Sequence, residues 1–109
     1  MPTEVITEFT LVGQRPGEAE FPVHLTITKP IPSEKMSPAW ECSISAAQLW
    51  ETPFTIYGED SFQALCLACR HSVQILDSFT AHRGTLKYPS GESFEAGVFG
   101  FKLLGGNAP

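Results

Sequence analysis

Two cysteines three positions apart, Cys66 and Cys69, with His71 close behind, come nearest in this chain to a chemical site. A Cys-x-x-Cys pair holds a metal or exchanges a disulfide only when both sulfurs reach one point and one thiolate is stabilised. On a helix with Phe62 at zero, the two cysteines fall at about 40° and 340° and His71 at about 180°. The histidine therefore sits on the opposite side. A redox pair also needs its first cysteine at a helix start, where free N–H groups lower its pKa, whereas Cys66 lies well past the cap expected at Asp60. Cys42, Cys66 and Cys69 are each expected on a core face as buried thiols, slow to react in the native state.

A thiol hydrolase would need one of these cysteines exposed beside a histidine that an acid orients, and folding could bring His24, His71 or His82 there. Nothing local marks a nucleophile elbow or an activated thiol. The Glu59–Asp60 pair is accounted for by capping and by the dipole of the helix that follows. Glu92 and Glu95 flank Phe94 near a turn and read as a solvated rim. Gly97, Gly100, Gly105 and Gly106 match neither GxGxxG nor GxxxxGK, and no HExxH occurs. The sequence thus assigns no catalytic set, no cofactor and no metal site.

The elements that position these residues are legible from periodicity. Over Asp60 to Ser78, Phe62, Leu65, Cys66, Cys69, Val73 and Leu76 form one apolar stripe about 100° wide, which predicts a helix lying on a sheet. Asp60 is its expected N-cap, with Gln63 reaching back as in a capping box, and Gly58 ends the strand before it. The following FTAHRG extends the helix by a turn, with Gly84 available for a left-handed exit. The polar face carries Gln63, Leu67, Arg70, His71, Gln74 and Ser78. Leu67 among polar neighbours, with Arg70, His71 and Gln74, is the expected interaction surface.

Alternation predicts the strands. Val5, Thr7, Phe9 and Leu11 share one face, and Phe21, Val23, Leu25 and Ile27 share one face of a second strand. Pro16–Gly17 between them favours a type II turn, so the two read as a hairpin. Trp40, Cys42 and Ile44 mark a third strand, and Phe54 and Ile56 a fourth. Pro30, Pro32 and Pro38 argue against a ladder strand through PIPSEKMSP. Thr85 to Tyr88 is a short strand candidate. Phe99, Phe101 and Leu103 alternate beyond it, though Gly97 and Gly100 suit a bend. GGNAP, from about residue 105, is expected to fray.

The 109 residues are expected to form a single domain with one core. A formal charge of -5, with scattered basic residues, works against nucleic acid as a partner. The opening MPTEVITEF has no basic segment followed by an apolar run, and no window is long and apolar enough to span a bilayer. The expectation is a cytoplasmic protein that engages no membrane.

The Trp40-x-Cys42 strand, the Tyr57–Gly58 turn and the residues Gly58, Asp60, Ser61, Gln63, Ala64 and Leu65 resemble a group of small bacterial proteins forming a domain of unknown function. That resemblance covers Glu4 to about Leu76 and implies a single α+β domain. The same run is more loosely similar to antitoxin domains pairing a small antiparallel sheet with a helix. A strand, a glycine and a capped helix account for that likeness, and the chain has no basic arm or helix-turn-helix.

The expected fold is α+β, a twisted antiparallel sheet of four to six strands with one principal helix across one face. The expected function is a non-enzymatic protein-interaction module, a homodimer or a small partner-inhibiting protein, because an open sheet in so short a chain leaves edges to be paired. The alternative is a small hydrolase or ligand-binding protein with a pocket between the helix, the Pro30–Pro38 loop and the carboxyl-terminal segment.

Overall fold

Strand β1 (Val5–Gln14) and strand β2 (Phe21–Thr28) form the hairpin that their alternation predicts, with Phe9 opposite Leu25 and Leu11 opposite Val23. The turn works as expected: Glu18 N–H donates to the Arg15 carbonyl at 3.1 Å, and Gly17 adopts φ 74°. The computed structural model describes residues 4–101. Leu103 and the GGNAP tail lie outside them.

The prolines after β2 interrupt the ladder without ending it. Strand β3 (Ile31–Pro32) pairs with Glu41 and Trp40 of strand β4 (Trp40–Ser45), while β2 pairs with Ile44 and Ser45 of the same strand. Because strand β5 (Phe54–Gly58) takes the other flank of β4, β2 and β3 are two pieces of one interrupted strand. Thr28, the last residue of β2, holds β4 beside the break, its Oγ1 accepting from Ser43 N–H at 2.8 Å and its carbonyl from Cys42 Sγ at 3.0 Å. Strand β6 (Thr85–Lys87) pairs with Val12–Gln14 of β1. All the pairings are antiparallel, and the order across the sheet is β5, β4, β2 with β3, β1, β6.

Helix α1 (Ser61–Ala81) packs on one face of this sheet, so the expected α+β architecture is the one observed. Its start is capped as the sequence indicates. Gln63 N–H donates to Asp60 Oδ1 at 2.7 Å, and Gln63 Oε1 accepts from Glu59 N–H at 2.6 Å, a reciprocal box displaced by one residue. Its end differs from expectation: Arg83 takes the left-handed conformation, φ 74°. Arg83 N–H donates to the Thr80 carbonyl and Gly84 N–H to that of Phe79, a Schellman arrangement. Gly84 is needed for another reason, since a Cβ there would lie 2.6 Å from Phe79 Cζ.

The buried face of α1 is not the predicted one. Ala64, Ala68, Ser72 and Leu76, successive i+4 positions, form the ridge turned to the sheet, with Val73 beside it. That arc is rotated by roughly 60° from the predicted stripe, leaving Phe62 75% exposed and Cys66 exposed. The cause is a close approach. Gly58 of β5 meets the helix backbone at Ala64, so only small side chains fit along the seam. The rest of the core comes from Leu11, Val23, Leu25, Ile27, Cys42 and Ile44 of the sheet, closed by Leu86, Phe94 and Ala96. Phe94 follows an exposed turn, and a short 3-10 helix (Ala96–Phe99) that ends on Gly100 at φ 81° makes the bend that Gly97 and Gly100 suit.

Candidate functional site

The two edges of the sheet differ in ways that matter for partners. At one edge, β6 covers β1 only over Val12–Gln14, and the uncovered part of β1 carries a register shift between Val5 and Thr7 together with Glu8. A bulge and a charge are common devices for blunting an edge. At the other edge, β5 is Phe-Thr-Ile-Tyr-Gly, with no charge, no proline and an unbroken register against β4. Among the described residues it pairs with β4 alone. Its Phe54 and Tyr57 side chains are exposed.

Beside that edge lies an aromatic group. The Phe54 ring meets Trp50 and His71, each with centroids 5.1 Å apart. Trp50 Nε1, His71 Nε2 and, one helical turn on, Gln74 Nε2 are buried without a hydrogen-bond partner. Of the four residues expected as an interaction surface, Arg70 is exposed, whereas Leu67, His71 and Gln74 are half-buried. The rotation of the helix explains this, because it turns their side toward β5 and away from solvent.

The histidines do not meet the cysteines. On the open face of the sheet, His24 Nε2 lies 2.9 Å from Glu8 Oε1 and its Nδ1 lies 3.1 Å from Thr10 Oγ1. An acid, an imidazole and a hydroxyl in series suggest a hydrolytic triad. The three are exposed on the solvent face of the sheet, however, and cross-strand neighbours arise there directly from the register of Thr10 opposite His24. His71 faces Phe54, and His82 Nδ1–H donates to the Ser78 carbonyl at 2.8 Å.

Each thiol has its own surroundings. Cys42 is buried as expected, and burial, with the Cys69 sulfur second, raises its pKa above the ordinary value. Cys69 is half-buried and is raised likewise by burial and then by Cys66. Cys66 is exposed, contrary to expectation, since the buried arc centres on the Ala64–Leu76 ridge and leaves Cys66 in solvent. Among the described residues no group of three His, Cys, Asp or Glu side chains could hold a metal ion, and no helix is long and apolar enough to cross a membrane.

Two concavities stand where the sequence suggested one pocket. The proline-rich loop contributes Met36, Pro38 and Ala39 to an open depression of about 460 Å³ beside Tyr57 and Gln63. The carboxyl-terminal segment closes a different space of about 220 Å³, with Phe99 and Phe101 lying over Phe9, Leu25 and Ile27. Its helix wall is Cys69, Ser72, Val73 and Leu76. No histidine lines either space, and Glu92 and Glu95 are exposed rather than gathered into them.

The seam between Gly58 and Ala64, the free β5 edge and the Phe99–Phe101 cavity are consequences of pairing and packing, not of a short motif. No family model, curated protein or solved structure matches the chain.

Proposed function

We propose that this chain is a non-enzymatic interaction module that self-associates, two copies pairing antiparallel along β5 about a two-fold axis at Ile56. The observation that carries the reading is the uncharged, unbulged edge strand Phe54–Gly58, paired on one flank only among the described residues. Such an edge is a template for a further strand.

A second copy suits it by register and by charge. With Ile56 opposite its own counterpart, Thr55 of one copy faces Tyr57 of the other, and the side chains stay on their proper faces. Glu59 then stands opposite Pro53 and Asp60 opposite Thr52, so no like charges stand directly opposite each other despite the net charge of -5. A short ladder with two rings beside it falls below the roughly 1,600 Å² of a standard stable interface, so association is expected around the micromolar range.

Sedimentation velocity across a concentration series tests this. The natural chain should shift from monomer to dimer by tens of micromolar. Thr55→Asp/Tyr57→Asp and Thr55→Lys/Tyr57→Lys should each remain monomeric, and their mixture should restore the dimer because 55 faces 57 across the axis. A natural chain that stays monomeric refutes self-association. A mixture that stays monomeric beside a dimeric natural chain refutes pairing through β5.

A further inference from the structure

We propose that the half-open space lined by Phe9, Leu25, Ile27, Phe99 and Phe101 against the helix binds a neutral aromatic small molecule of one or two fused rings. The inference is independent of the pairing along β5. Helix α1 is held close to the sheet at its β5 side, where Ala64 meets Gly58, and the space opens on the opposite side of the helix, over β1 and β2. It amounts to about 220 Å³. An apolar cavity of about 150 Å³ stays dry and accepts benzene, so this volume admits a single ring with room for a second. It lies below the usual size for drug-like ligands, which limits the occupant to a small one.

The lining decides the ligand's charge and shape. The polar side chains at its wall are hydrogen-bonded elsewhere or uncharged, Thr7 offering only a neutral hydroxyl. Ser72 donates its hydroxyl to the Ala68 carbonyl at 2.8 Å, and the Glu8 carboxylate is directed to His24 on the other face of the sheet. Cys69 contributes a thiol that burial keeps in its neutral form. A charged ligand would find no counter-charge there and would lose its hydration. Aromatic walls favour an aromatic guest: Phe9 already meets Phe99 edge to face, with centroids 6.1 Å apart at 78°, and Phe94 at 5.9 Å. Rings in offset or edge-on contact gain beyond their buried area.

Cys69 lines the space and Cys66, exposed nearby on the same helix, does not, which provides a reporter and its control. Alkylation of the Cys66→Ala chain follows Cys69, and alkylation of the Cys69→Ala chain follows Cys66. With indole at ten times its dissociation constant about one site in eleven is empty, so labelling of Cys69 should slow roughly tenfold while that of Cys66 keeps its rate. Adding Val73→Phe, whose ring would fill the space, should abolish the protection. If that variant does not fold, the comparison of the two cysteines decides alone. Unchanged labelling of Cys69, or equal slowing of both cysteines, would overturn the proposal. Protection by hexanol with none by indole would overturn its aromatic class.

Discussion

Replacing Gly58 with alanine tests the seam on which the whole arrangement depends. Gly58 is not among the glycines with positive φ, so alanine meets no backbone strain there. Two effects then oppose each other. Alanine restricts the unfolded chain, which by itself stabilises by about 0.4–1 kcal/mol. The new Cβ, however, would overlap Ala64 N and lie 2.8 Å from Ala64 Cα and 2.9 Å from Gln63 C. These are helix backbone atoms, which cannot swing aside as a side-chain tip can. Overpacking of this kind costs about 1–3 kcal/mol, and the upper end applies when a whole element must shift. The steric term wins, leaving a net loss of about 2 kcal/mol. Urea unfolding of Gly58→Ala should show a lower midpoint at an unchanged slope, with Tm lower by roughly 8–16 °C for a domain of this size. A midpoint equal to or above that of the natural chain would show the unfolded-state effect acting alone, and the backbone contact between β5 and α1 would be refuted.

Arg83→Gly should raise the urea midpoint by an amount worth about 0.5–1 kcal/mol, since it relieves a left-handed residue at the helix exit; a lower midpoint would contradict the Schellman exit. Cys42 should make folding sensitive to alkali. Its pKa is raised in the folded state, so the folded chain keeps a proton that the unfolded chain releases, and stability is full below about pH 8.5 and falls as pH rises above it. Cys42→Ala should lower the stability plateau yet flatten that alkaline decline; parallel pH profiles would refute the linkage.

What could be read from sequence followed the strength of local constraint. Leu11, Val23, Ile27, Cys42 and Ile44 sit at alternating positions, and each lies on the core face as alternation predicts. The Asp60 cap was equally visible because its partner Gln63 is three residues away. The face of the helix was not, since hydropathy weighs Phe62, Leu65 and Cys66 heavily and Ala64, Ala68 and Ser72 lightly. Proximity to Gly58 selected the small residues, and that contact joins two elements. Gly84 drew the left-handed assignment for a similar reason: its freedom was plain, but the space that Phe79 requires was not. The functional candidates lie further still from local pattern. That β5 is an edge follows from which strands pair, and the cavity exists only once Phe99 and Phe101 fold over β1 and β2.

The seam also makes the two proposals separable. Ala64 and His71 lie at about 200° and 180° around the helix, on the side toward β5, whereas Cys69, Val73 and Leu76 lie between about 320° and 20°. The β5 edge and the cavity therefore flank α1 on opposite sides, and charge placed at 55 and 57 on the open face of the sheet reaches no residue that lines the cavity. In a Cys66→Ala background, the Thr55→Asp/Tyr57→Asp chain, expected to be monomeric, should still show indole protection of Cys69 equal to that of the dimer. Loss of protection on dissociation would mean that pairing shapes the cavity, and the helix could not then be the rigid divider that its contact with Gly58 implies.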